Sequence, residues 1–201
     1  MKKLVCHGDS LTEGSDLDRQ AVWPALTGSA LGLKVINRGI GGDTSAGLLS
    51  RFYREVVDEA PDFAIILCGT NDLWWDLEVR QILANTFSMV FQAQYHGITP
   101  ILATPLPVAV EKAQAAEITP PTAGFGACAD KIRRLRDGLL ASGAQSEIPV
   151  IDFYPLFLDP SEAVLGDLFL EDGLHPDRAG HRRMAAAAVD RFRTDFLFDS
   201  V

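Results

Sequence analysis

Cysteine is scarce in this sequence. Cys6, Cys68 and Cys128 are the only three, and with no C-x-x-C pair they exclude a disulfide-stapled scaffold and a cysteine zinc site. Cys6 and Cys68 sit in apolar runs and read as buried thiols. No run of about 18 apolar residues occurs, so no membrane span is expected. Basic residues are outnumbered, 18 Lys and Arg against 27 Asp and Glu, which leaves a net charge of −9. That balance argues against partners bound by neutralising phosphates, whether nucleic acid or an anionic membrane. After Lys2-Lys3 only Leu4, Val5 and Cys6 precede His7-Gly8-Asp9, too short for an export segment of roughly 7 to 15 apolar residues. A cytoplasmic home is the expectation. Two nucleotide-binding motifs are also missing. The glycines at 39, 41 and 42 precede no Gly-Lys-Ser/Thr, and Thr44 stands where a G-x-G-x-x-G would end.

What is present describes a globular chain. Of 201 residues 47% are hydrophobic and 22% charged, enough to bury one core without staples, so residues 1–201 read as a single domain. Short β-rich runs at 3–7, 33–37, 62–68, 99–103 and 149–153 alternate with stretches of helical spacing. Leu48, Leu49, Phe52 and Val56 form one such stretch. Ile82, Leu83, Phe87, Val90 and Phe91 form a second, and Ile132, Leu135 and Leu139 a third. An Ala-rich segment at 177–196 predicts the final helix, with Pro176 opening it. Alternation of this kind predicts βαβ units, a five-stranded parallel sheet and a three-layer α/β/α sandwich. Residues 104–123, with four prolines and little periodicity, predict a long loop after the fourth strand. A second link, 154–172, joins the last strand to the last helix. Ligands of open parallel sheets bind beyond the carboxyl ends of the strands, where both links begin.

Four polar segments fall at that edge. Ser10 follows the first strand in His7-Gly8-Asp9-Ser10-Leu11, where a hydroxyl can act as nucleophile; Asp-Ser there equally reads as a helix cap. The glycine-rich turn around Gly42 lets backbone amides approach an anion, or is simply a turn. Asn71, in Gly69-Thr70-Asn71-Asp72, offers two N–H donors that never change charge. In Asp172-Gly173-Leu174-His175 a carboxylate three residues before an imidazole can hold one ring nitrogen while the other takes a proton. Alternatively Asp172 and His175 cap the helix, or join His181 around a metal, though no H-E-x-x-H supports that. Together the four segments supply a nucleophile, a base with its orienting acid, and oxyanion donors, the parts acyl transfer needs.

Gly8-Asp9-Ser10-Leu11, Gly42-Asp43, Gly69-Thr70-Asn71-Asp72 and Asp172-x-x-His175 resemble, in order and spacing, the four blocks of the SGNH hydrolases, also called GDSL esterases and lipases. His7 departs from the apolar or small residue common at that place. The resemblance implies a flavodoxin-like sheet of strand order 2-1-3-4-5 and hydrolysis of esters or thioesters of small acyl groups or lipids, with no cofactor. It further implies Ser10 as nucleophile, Asp172 and His175 as its partners, and Ser10, Gly42 and Asn71 as oxyanion donors. No G-x-S-x-G occurs, so the unrelated nucleophile elbow is not indicated. Trp74 and Trp75 are candidates to bind substrate, and with Phe125 and Phe157 to shape an acyl pocket, while residues 106–124 are a candidate lid or a contact of a homo-oligomer. Two other readings compete: a non-catalytic ligand-binding module on the same fold, and a Mg²⁺-dependent phosphohydrolase built on Asp9, Asp43 and Asp72.

Overall fold

The computed structural model describes residues 1–14 and 17–196. Strands β1 (Lys3–Gly8), β2 (Lys34–Gly39), β3 (Phe63–Leu67), β4 (Thr99–Ala103) and β5 (Val150–Ile151) form one parallel sheet in the order β2-β1-β3-β4-β5. Chain direction reverses its walk across the sheet between β2 and β3. That switch leaves the carboxyl ends of β1, β2 and β3 side by side, the place where open α/β sheets bind their ligands.

Alternation along the strands divides the interior in two. Val5, Ala64 and Ile66 point to one face, under α3 (Ser45–Phe52), α5 (Val79–Tyr95) and α7 (Phe125–Gln145); Leu48, Phe52, Ile82, Met89, Ile132 and Leu135 fill that side. Leu4, Cys6, Ile65 and Leu67 point to the other, against α2 (Trp23–Leu31) and α8 (Arg178–Phe196), where Trp23, Met184 and Phe192 are fully buried. The result is the expected three-layer sandwich. Cys6, Cys68 and Cys128 are all buried and unpaired.

Several boundaries differ from the sequence reading. The fifth strand is only Val150–Ile151 rather than 149–153, because the backbone N–H groups of Phe153 and Tyr154 donate to the Thr104 hydroxyl oxygen instead of continuing the ladder. Residues 104–123 are not loop throughout: Val110–Ala115 form a short helix, α6. Pro176 does not open α8, which starts at Arg178; Pro176 pairs with Phe169 in a β-bridge, and Asp177 accepts the Gly180 N–H at 2.8 Å. Helix α2, with Pro24 and Gly28 interrupting its apolar positions, had no legible periodicity. Helix α3 passes directly into a π-helical turn, Tyr53–Val57. Among the described residues no helix is long and apolar enough to cross a membrane.

Candidate active site

Each strand end delivers its polar group by a specific local device. At β1 the chain must turn at once into a one-turn helix, α1 (Ser10–Glu13), which Asp9 caps by accepting the Leu11 N–H at 2.9 Å. Gly8 permits this: a Cβ there would lie 2.2 Å from the Thr12 hydroxyl and 2.8 Å from the Leu67 carbonyl. Ser10 is therefore the first residue beyond the cap. At β2 the turn closes through Asp43 N–H to the Ile40 carbonyl, with Gly42 at φ +76, and Thr44 caps α3. At β3, Gly69 precedes α4 (Thr70–Trp74), which carries Asn71.

The last segment is knotted to itself. Asp172 Oδ1 accepts the backbone N–H groups of Leu174 and His175 at 2.8 and 2.9 Å, and Leu170 N–H donates to the His175 carbonyl at 2.8 Å. This bend sets Asp172 Oδ2 2.6 Å from His175 Nδ1. His175 Nε2 in turn lies 2.9 Å from Ser10 Oγ, across 165 residues of sequence. Burial raises the Asp172 carboxyl, but hydrogen bonds from the His175 ring and from both backbone N–H groups outweigh it and hold the group below its ordinary value. An ionised Asp172 can only accept, so Nδ1 carries the ring proton and Nε2 accepts from the Ser10 hydroxyl. All three side chains remain partly open to solvent.

The remaining predicted donors, Gly42 and Asn71, follow β2 and β3, the two strands on either side of β1. The backbone N–H groups of Ser10 and Gly42 donate to no protein acceptor among the described residues. Asn71 Nδ2 donates to the Asp43 carbonyl at 2.8 Å, which ties the β3 segment to the turn holding Gly42 and leaves one amide hydrogen over.

Other candidates fall elsewhere. Trp74 packs edge-on against Phe125 and donates its Nε1 hydrogen to the Thr119 carbonyl, so it secures the segment after β4; Trp75 is 67% exposed. Phe157 is fully buried against Phe169 and shapes no open pocket. Residues 106–124 are anchored at their start: Leu106, Val108 and Ala109 are core, and Ala109 N–H donates to the Gly173 carbonyl in the bend between Asp172 and His175.

His181 is turned to the α2 side, accepting the Trp23 N–H at Nδ1, and burial lowers its pKa to about 4. Among the described residues no group of three or more His, Cys, Asp or Glu is placed to hold a metal ion. The three aspartates of the phosphohydrolase reading are each engaged inward. Asp9 is fully buried as a cap, Asp43 pairs with Arg51, and Asp72 accepts the N–H and hydroxyl of Ser45 at 2.8 and 2.6 Å. The sequence motifs pointed neither to Arg51 nor to the bond between Ser45 and Asp72. The available signal was an arginine sharing the buried stripe of Leu48 and Phe52 on one amphipathic helix.

Comparison with known proteins bears on the family and the fold. A family model described as GDSL-like lipase/acylhydrolase matches residues 6–183. Among curated relatives, an uncharacterized lipoprotein, YqeF, of Bacillus subtilis is 32% identical over 118 residues, 52% of this chain and 49% of that protein. The esterase TesA of Pseudomonas aeruginosa is 33% identical over 104 residues, 49% of this chain and 52% of that one. The matched segments thus span about half the length of these relatives. The crystal structure of a GDSL-like lipase from Bacteroides thetaiotaomicron superposes with a TM-score of 0.78 at 26% identity, covering 96% of this chain and 88% of that one.

Proposed function

The chain belongs to the GDSL-like lipase/acylhydrolase family, and from that premise we propose that it is a serine hydrolase cleaving carboxylic esters of small acyl groups or lipids, and thioesters by the same chemistry, through an acyl-enzyme on Ser10. The observation that carries this reading is the continuous line of hydrogen bonds from Asp172 Oδ2 through both nitrogens of His175 to Ser10 Oγ. The relative named an esterase supports the same class of reaction.

In the mechanism, neutral His175 takes the proton of Ser10 as the hydroxyl oxygen attacks the acyl carbon. Asp172 keeps the ring in the required tautomer and stabilises the imidazolium without being protonated itself. The carbonyl oxygen becomes an oxyanion and meets the N–H groups of Ser10 and Gly42 and the second amide hydrogen of Asn71. Each such donor is worth about 2.7 to 4 kcal/mol in the transition state. His175 then returns the proton to the departing alkoxide or thiolate. Water, activated by the same imidazole, attacks the acyl-enzyme and releases the acid. These steps need no metal or organic cofactor.

Trp75, exposed beside the helix that carries Asn71, is the residue we assign to contact the substrate; Trp74 supports it from within. A substrate that is a small neutral ester suits the net charge of −9, which disfavours polyanions. We place the protein in the cytoplasm, where three unpaired thiols stay reduced. Turnover of nitrophenyl esters of increasing acyl length tests the reading. The expected result is hydrolysis by the wild type and nearly none by a folded Ser10→Ala variant; equal rates for the two contradict it.

A further inference from the structure

Beneath the Gly42 turn lies a buried guanidinium with an acceptor at each of its three nitrogens. Arg51 Nε donates to Asp43 Oδ2 at 2.7 Å, Nη2 to the Gly8 carbonyl at 2.9 Å and Nη1 to the Arg38 carbonyl at 2.9 Å. Nη1 also bonds the Glu55 carboxylate and lies 3.4 Å from His7 Nδ1. Its acceptors come from the last residue of β1, from β2, from the turn after β2 and from the π-helical turn after α3. The side chain is only 9% exposed.

Asp43 is the relay. Its side chain is held by Arg51, while its backbone carbonyl receives Asn71 Nδ2 at 2.8 Å and its N–H closes the turn on Ile40. Gly42 is the residue immediately before it. The side chain of Asp43 also presses on the start of α3: a Cβ on Gly47 would sit 1.8 Å from Asp43 Oδ1, so only glycine allows the approach. Both oxyanion donors outside α1 are therefore linked to one aspartate, and that aspartate to one arginine.

His7 completes the clamp. Nε2 lies 3.0 Å from the Leu48 carbonyl, which can only accept, so Nε2 carries the hydrogen and Nδ1 presents its lone pair to the guanidinium. Burial lowers the pKa of His7 to about 4, which keeps the ring neutral and free of like-charge repulsion with Arg51 near neutral pH. An apolar residue at position 7 offers no such acceptor.

We propose that Arg51, seated by His7 and Glu55, is a positioning residue that sets the oxyanion donors Gly42 and Asn71 by fixing Asp43 between them. The inference rests on the ester-hydrolase reading and adds to it a control on transition-state binding from residues that touch no substrate. A lysine at 51 keeps the buried charge but has a single point of attachment and cannot reproduce the fork.

The test is a double-mutant cycle of Arg51→Lys with Asn71→Ala, read as kcat and KM on a nitrophenyl ester. Displacing donors of this kind costs on the order of tenfold to a hundredfold in rate, so kcat of Arg51→Lys is expected to fall by that factor while KM is unchanged. In the Asn71→Ala background the same substitution is expected to cost distinctly less, since one of the two groups it positions is already gone. A purely structural arginine gives the same factor in both backgrounds and overturns the proposal, as does a loss confined to KM. Should Arg51→Lys fail to fold, Asp43→Asn, which removes the charge of the same link with an isosteric side chain, carries the cycle with the same two outcomes. Absence of ester turnover in the wild type overturns the hydrolase reading together with this inference. Wild-type turnover alongside full kcat in Arg51→Lys and Asp43→Asn overturns this inference alone.

Discussion

Asp172 grips His175 at two points: Oδ1 accepts its backbone N–H at 2.9 Å, and Oδ2 stands 2.6 Å from its ring Nδ1. The carboxylate thus fixes both the bend of the chain and the orientation of the imidazole. Asp172→Asn can preserve the first bond through its amide oxygen, but then presents N–H to Nδ1 and forces the ring into the other tautomer. The expected loss in kcat is about 10⁴-fold with the fold intact. Circular dichroism with steady-state kinetics checks it.

Asn71→Ala removes an amide that bonds the Asp43 carbonyl with one hydrogen and has a second left to offer an oxyanion. The expected loss is about 100 to 1000-fold in kcat with KM little changed. A change in KM alone reassigns Asn71 to substrate binding.

Three buried titrating groups shape stability against pH. Burial lowers His7 and His181 to about 4, so the unfolded chain binds protons there that the folded one refuses. Their contribution is complete above the unfolded value near 6.5 and is lost as pH falls toward 4. Asp9 runs the opposite way. Burial, against the Leu11 N–H that lowers it and with nearby Asp72 and Asp43 raising it, lifts its pKa to about 7, and Oδ2 has no hydrogen-bond partner. The folded state therefore holds a proton on Asp9 from about pH 4 to about pH 7, and stability falls as pH rises through that window, by up to ~1.4 kcal/mol per pH unit. Asp9→Asn keeps the cap on Leu11 N–H and needs no proton. Urea unfolding of this variant and the wild type at pH 5 and pH 8 is expected to show the variant gaining on the wild type at the higher pH.

Two glycines in the site differ in what they tolerate. Gly42 has φ +76 but open space where a Cβ would go, so Gly42→Ala is expected to cost only the backbone strain, roughly 1 to 2 kcal/mol. Gly173, at φ +65, would place a Cβ 2.5 Å from the Ala109 carbonyl and 2.7 Å from the Ala113 nitrogen. Gly173→Ala is expected to be more destabilising and to loosen the Asp172 bend as well. Thermal melts of the two variants compare them directly.

The sequence disclosed what depends on local chemistry. The sheet order and the meeting of Ser10 with His175 were legible only through the family resemblance that short motifs at strand ends carry, and the strand positions because β-branched runs alternate with amphipathic stretches. Helix α2 was hidden because Pro24, Thr27 and Gly28 stand where a periodic helix would show apolar residues, although Pro24, Thr27 and Gly28 are themselves buried. Helix α6 was hidden between prolines. The clamp of His7, Arg51 and Asp43 was not readable: His7 stood out only as an unusual residue before the first motif, and the meaning of the three lies in the convergence of separate segments. Trp74 and Phe157 misled for the opposite reason: an aromatic near a motif suggests a pocket, but both serve packing.

The central claim is that Ser10 is a nucleophile activated by His175, and covalent labelling tests it most directly. Incubation with a fluorophosphonate probe followed by peptide mapping is predicted to find one label per chain, on Ser10, with labelling abolished in Ser10→Ala and strongly slowed in His175→Ala. A label on another residue, or none on a folded wild-type protein, contradicts the account.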